Sequence, residues 1–283
     1  DIRAPYMSSA QHISFETAPD ELTHAWFYPP RNPDYEARSG DLPPLIVLSH
    51  GGPTGNSSGA FSLAIQYWTS RGFAIVDVNY SGSTGYGRQY RERLKGNWGV
   101  RDVHDCATAA KYLVGEGLVD KERLIIKGGS AGGYTTLAAL TFLDVFKAGA
   151  SYYGVGDLTL LARDTHKFES RYLDSMIGPY PEEKQLYIDR SPLNFADQLD
   201  CPVIFMQGLD DSVVPPDQAK SMVAALKNNG IPVAYLPFEG ESHGFRQATT
   251  VVKAIESEYY FYTRIFGIDP VESVEPIEIF NLG

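Results

Sequence analysis

Residues 123–134 read Arg-Leu-Ile-Ile-Lys-Gly-Gly-Ser-Ala-Gly-Gly-Tyr, and no other stretch restricts the fold as strongly. A β-branched run ends abruptly in glycines around one serine, and a Thr/Leu/Ala-rich helical pattern continues to Leu143. Strand, tight turn and helix in that order give the G-x-S-x-G nucleophile elbow its required context. The turn is strained and has no room for neighbouring Cβ atoms, which is why glycines flank the serine. Such a turn lifts Ser130 Oγ above a sheet and aims the first N–H groups of the next helix at a developing oxyanion. A glycine-rich turn with an incidental serine is the competing reading, and the rest of the chain bears on it.

An acid and a base follow in the order this fold demands. The strand pattern Pro202-Val203-Ile204-Phe205-Met206 runs into Gly208-Leu209-Asp210-Asp211-Ser212-Val213-Val214-Pro215. A carboxylate on the loop after a strand is where an α/β-hydrolase carries its triad acid. Two adjacent aspartates compete for that role. The pattern Gly-x-x-Asp-x-x-Val-Pro selects Asp211 and leaves Asp210 as a solvated or turn-capping neighbour, since adjacent side chains point in different directions. After the strand pattern 232–236, His243 lies in Gly240-Glu241-Ser242-His243-Gly244-Phe245. A loop histidine is commonly plain surface; this one completes the order Ser, Asp, His on successive strand ends. The expected roles are Ser130 as nucleophile, His243 as base and Asp211 as the group that fixes its tautomer.

A fourth signal is Leu45-Ile46-Val47-Leu48-Ser49-His50-Gly51-Gly52-Pro53, a buried strand ending in His-Gly-Gly. It matches the oxyanion loop of this fold, so Gly52 N–H and Ala131 N–H are the expected oxyanion donors. His50 reads as a hydrogen-bonding structural residue, not a second base.

The chain of 283 residues, 43% hydrophobic, suits one large core and one α/β domain. Twenty-four basic against 35 acidic residues leave a formal charge of −11 with no basic stripe. Nucleic acid and anionic membrane are therefore poor partners. No apolar run approaches the roughly 20 residues that span a bilayer. Cys106 and Cys201 make no disulfide framework and read as buried thiols, in keeping with a reducing, cytoplasmic location. The first residue is Asp1, so a fragment or processed product is as open as a full chain.

Strand and helix patterns alternate from residue 45 to about 265, which specifies an α/β-hydrolase fold with a mostly parallel central sheet and helices on both faces. Residues 1–44 read as N-terminal strands and a connector, 45–267 as the catalytic domain, and 268–283 as a C-terminal tail without regular structure. An irregular excursion over 154–199 carries several aromatics and is expected to contribute to a substrate pocket, with ordinary helical packing as the alternative. Neither metal-ligand spacing nor a phosphate loop is present; the Gly82–Gly87 run lacks the Gly-Lys-Ser/Thr ending.

Five segments together resemble the catalytic domain of the prolyl oligopeptidase family of serine peptidases, on its acylaminoacyl-peptidase and dipeptidyl-aminopeptidase branch. They are His50-Gly51-Gly52-Pro53, Asn79-Tyr80-Ser81-Gly82-Ser83-Thr84-Gly85-Tyr86-Gly87, Gly128–Tyr134, Gly208–Pro215 and Gly240–Phe245. The resemblance implies cleavage of short peptides by Ser130, Asp211 and His243 without a cofactor. It implies a substrate pocket near Tyr134, Tyr153 and Phe168. It also implies an N-terminal β-propeller that screens out large substrates and that this chain starts too late to hold. Two positions depart from relatives: His50 stands where some have an oxyanion tyrosine, and Val213 where some have a substrate-gripping arginine. A stand-alone carboxylesterase with the same triad is the alternative activity, since both reactions pass through a tetrahedral oxyanion. A hydrolase fold reused as a binding module is a third reading, which the intact set of three residues disfavours. Pairing through exposed strand edges makes a homo-oligomer an open expectation.

Overall fold

The structure, a computed structural model, describes residues 3–164 and 171–283. Its sheet is built from β1 (Gln11–Ala18), β2 (Glu21–Tyr28), β3 (Leu45–Ser49), β4 (Ala74–Asn79), β5 (Leu124–Gly129), β6 (Ala148–Tyr152), β7 (Val203–Gly208) and β8 (Val233–Phe238). The helices are α1 (Leu63–Thr69), α2 (Arg88–Glu92), α3 (Arg101–Gly115), α4 (Ala131–Phe142), α5 (Leu158–Asp164), α6 (Tyr172–Met176), α7 (Lys184–Asp189), α8 (Pro216–Asn228) and α9 (Ala248–Phe266). The strand order is β1-β2-β4-β3-β5-β6-β7-β8. The β1–β2 and β2–β4 pairs are antiparallel, and every pair from β4 through β3 to β8 is parallel. The expected mostly parallel α/β sheet is therefore present, with β1 and β2 lengthening it at one edge.

The near-continuous apolar strands follow from burial on both faces. Along β3, Leu45 and Val47 pack with one layer while Ile46 packs with the other. The same alternation places Val203 and Phe205 opposite Ile204 and Met206 along β7. The first layer holds α3, α4 and α8; the second holds α1 and α9. Helix α3 turns Val103, Cys106, Ala107, Ala110 and Leu113 inward, the spacing of a single apolar stripe. Helix α4 is buried along almost its whole length, so its Ala/Thr/Leu composition has no polar face. Both cysteines are free and buried.

Beyond Gly267, which ends α9 in the left-handed conformation at φ 62°, the tail forms no helix or strand. It is nevertheless tied to the edge of β8, where Val233 and Phe280 exchange backbone hydrogen bonds of 3.0 and 2.8 Å. Among the described residues no helix is long and apolar enough to cross a membrane.

Candidate active site

The parallel strands deliver four loops to one end of the sheet, following β3, β5, β7 and β8. Ser130 sits between β5 and α4 with φ 56° and ψ −120°, a conformation that L side chains rarely adopt. Its N–H donates to Tyr152 O (3.0 Å) and its carbonyl accepts from Tyr134 N–H (3.0 Å), so both ends of the turn are fixed. The flanking glycines are a packing requirement. A Cβ on Gly128 would stand 2.4 Å from the Gly132 carbonyl carbon, and one on Gly132 only 2.0 Å from Ser49 O.

Ser130 Oγ lies 2.8 Å from His243 Nε2, and His243 Nδ1 lies 2.8 Å from Asp211 Oδ2. Asp211 is buried while Asp210 is exposed, so the structure separates the two candidates. The remaining Asp211 oxygen, Oδ1, accepts the N–H groups of Val213 and Val214 at 2.9 Å each. Gln207 Nε2, buried beneath, donates to Asp211 Oδ2 at 3.3 Å and to Val214 O at 3.1 Å. A carboxylate with that many donors stays oriented, and the His243 Nδ1–H tautomer leaves Nε2 facing the serine.

Gly51 brings the loop after β3 against the elbow: a Cβ there would lie 3.3 Å from Gly129 O and 3.7 Å from Ser130 Cβ. Ala131 opens α4, so its N–H is one of the helix's orphan donors. Gly52 has φ 125°, a region reserved for glycine.

His50 holds this loop in place. Burial lowers its pKa against the opposing effect of the Gly51 carbonyl, leaving a neutral ring with one N–H. Nδ1–H donates to Gly51 O (2.9 Å), and Nε2 lies 2.7 Å from Ser83 Oγ, whose one proton is shared between this nitrogen and Tyr80 O at 2.7 Å; the ring stacks on Tyr80 at 4.2 Å. Tyr80 OH donates to His50 O at 2.8 Å. Asn79 meets Ser57 twice, accepting its N–H at 2.7 Å and donating to its carbonyl at 3.0 Å, and Thr84 N–H donates to Gly55 O (2.9 Å). The segment 79–84 is thus a brace for the loop after β3. In the sequence, Asn79–Gly87 carries one segment of the family resemblance and Gly82–Gly87 lacks the ending of a phosphate loop; neither reading includes a bracing role. Its signal was present in the small polar residues clustered directly after a strand.

The expected pocket residues separate. Tyr153, just past β6 with φ 40°, packs its ring edge-on to His243 at 5.0 Å and lies over Gly129 beside the elbow. Tyr134 does not reach that surface: it is fully buried against Trp98, and its OH donates to Arg190 O at 2.9 Å. Four residues after Ser130, it falls on the face of α4 turned toward the segment before α3, where it serves packing. Phe168 lies outside the described residues. From the excursion, Tyr172 OH comes within 3.3 Å of Thr54 Oγ1 on the loop after β3. Among the described residues no cluster of His, Cys, Asp or Glu could hold a metal ion.

The profile of the prolyl oligopeptidase family matches residues 59–269. Dipeptidyl peptidase family member 6 of Caenorhabditis elegans is 35% identical over 72% of the chain and 28% of its own length. Dipeptidyl aminopeptidase BIII of Pseudoxanthomonas mexicana is 32% identical over 71% of the chain and 30% of its own length. The solved structure of a puromycin-hydrolyzing peptidase from Mycobacterium tuberculosis superposes with a TM-score of 0.96 at 50% identity, covering 99% of this chain and 42% of that one. The chain therefore spans less than a third of these curated relatives and under half of the solved chain. On the family match and these likenesses, the chain belongs to the prolyl oligopeptidase family of serine peptidases.

Proposed function

We propose that this domain hydrolyses short peptides through a Ser130–His243–Asp211 triad and an acyl-enzyme. The observation that carries the reading is the unbroken hydrogen-bonded chain from Ser130 Oγ through both His243 nitrogens to a buried Asp211. In this reading Ser130 Oγ attacks the scissile carbonyl while His243 Nε2 takes its proton. The oxyanion is held by Gly52 N–H and Ala131 N–H, and the collapsing intermediate expels the amine with the proton returned by His243. Water then repeats the sequence on the acyl-enzyme. The proposal includes an N-terminal β-propeller as the partner that admits only short substrates, in keeping with the larger size of the relatives.

The aminopeptidase form of the activity has a specific argument. The half-identical structural neighbour is described as hydrolysing puromycin. Puromycin is an amide of an aromatic amino acid with a free α-amino group, and Tyr153 offers an aromatic wall beside His243. The test is hydrolysis of puromycin, free aminoacyl anilides, N-acetyl aminoacyl anilides and a short acyl nitrophenyl ester, with Ser130→Ala as control. Serine-dependent cleavage of the amides is expected, and the free-to-acetyl ratio assigns the branch. Ester cleavage alone would replace the peptidase reading with a carboxylesterase.

A further inference from the structure

The motif that carries His243 contains a second ionisable group for which the mechanism above has no use. Glu241, two residues earlier, is only 2% exposed although it sits on a surface loop. Its Oε2 accepts the N–H of Arg246 and its Oε1 the N–H of Gln247, each at 2.9 Å. These are the two residues directly before α9, where backbone donors lack helical partners. The same residue also grips the acid loop. Glu241 O accepts Asp210 N–H at 2.9 Å, and it packs so near β7 that a Cβ on Gly208 would stand 2.4 Å from it.

The geometry points to Glu241 as a positioning residue: its carboxylate closes the loop 241–247 and its carbonyl locks that loop to the one bearing Asp211. The function assigned is to hold the His243 imidazole in register with both Asp211 and Ser130. This rests on the roles given to those three residues above. Inside the closed loop lie only Ser242, His243, Gly244 and Phe245, with Ser242 and Gly244 bridged to each other. The span is too short for His243 to move independently of its two ends. Burial of the Glu241 carboxyl pushes its pKa up, but the N–H groups of Arg246 and Gln247, a Thr250 hydrogen bond and the Arg246 charge outweigh this and hold it below the ordinary range. The clamp is therefore charged at every pH at which a histidine base operates.

The test compares the full chain with Glu241→Gln, a variant of equal size whose amide group opposes one of the two backbone N–H groups with its own donor. Expected is a fall in kcat of about 10- to 100-fold, the cost of sub-ångström displacement of a catalytic group. KM should stay within about threefold, because the clamp touches no substrate. The His243 Nδ1–H proton resonance, read by NMR at low field, should shift or vanish as its bond to Asp211 loosens. That resonance tests the clamp even if no substrate is turned over, so its failure is distinct from failure of the peptidase reading. A folded Glu241→Gln variant with unchanged kcat and unchanged resonance overturns the proposal. So does an activity loss that only tracks the folded fraction while the resonance stays in place. If Glu241→Gln does not fold, Thr250→Val leaves the carboxylate and its two backbone bonds intact and removes the third. A severalfold lower kcat with a moved resonance is then expected, and wild-type values for both overturn the assignment.

Discussion

Asp211 Oδ2 and His243 Nδ1 stand 2.8 Å apart, and every other contact of Asp211 named above keeps its carboxylate turned toward that ring. Asp210, adjacent in sequence, is exposed and, among the described residues, joins the site through its backbone N–H to Glu241 O. Asp211→Asn is expected to lower kcat by about four orders of magnitude, because an amide in place of the carboxylate favours the wrong imidazole tautomer. Asp210→Asn should change it by no more than about threefold, as for other surface positions. Steady-state kinetics on the two variants decides, and similar losses from both would refute the assignment.

Ser130 pairs chemistry with strain. Removing the hydroxyl in Ser130→Ala should abolish turnover while leaving the fold intact. Ser130→Gly should also be inactive yet more stable than the wild type, by about 1–2 kcal/mol, because glycine adopts the left-handed φ of 56° without cost. Thermal unfolding of the three proteins is the measurement. A glycine variant no more stable than the alanine variant would show that the turn stores no strain.

Ser83 lies 33 residues from His50 in sequence and 2.7 Å from it in space. Ser83→Ala leaves a buried imidazole nitrogen without its partner and frees the loop bearing Gly52. The expected loss in kcat lies between about tenfold and the roughly 3 kcal/mol that one oxyanion donor supplies. KM should change little, since the donors act on the developing oxyanion. A Ser83→Ala variant with wild-type kcat would mean that the loop is held without its brace.

These three sites differ in how far they were legible in the sequence. The elbow, the Asp211 loop and the His243 loop are local signals, each a strand end marked by at least one glycine, and parallel strands bring such ends together. The brace at 79–84 shows in the sequence only as small polar residues after a strand, because its purpose is a contact with a different loop. Tyr134 was misplaced. The family resemblance implied a place near substrate, but one helical turn past Ser130 the side chain is buried against Trp98 instead of facing the pocket. Helix α2 went unread because its five residues, three of them charged, carry no apolar period.

A second buried carboxylate lies behind the elbow helix. Asp102 on α3 is fully buried, accepting from Gly99 N–H at 2.7 Å and paired with Thr135 Oγ1 of α4. Burial raises its pKa to about 6, against the opposing hydrogen bonds from Thr135 and Gly99. An unfolded aspartate releases its proton near 3.8, so between roughly pH 4 and 6 the folded chain keeps a proton that the unfolded chain has lost. Stability from this site is thus fully present below about pH 4, declines as pH rises toward 6, and is absent above it. At pH 8 the ionised group costs on the order of 3 kcal/mol. Asp102→Asn removes the charge while keeping an acceptor for Gly99 and a donor for Thr135, whose own hydroxyl reaches Ala131 O at 3.1 Å. The variant should therefore melt above the wild type at pH 8, and the gain should shrink toward zero near pH 4. Melting curves across that range are the check; a gain independent of pH would mean that Asp102 does not titrate in this window.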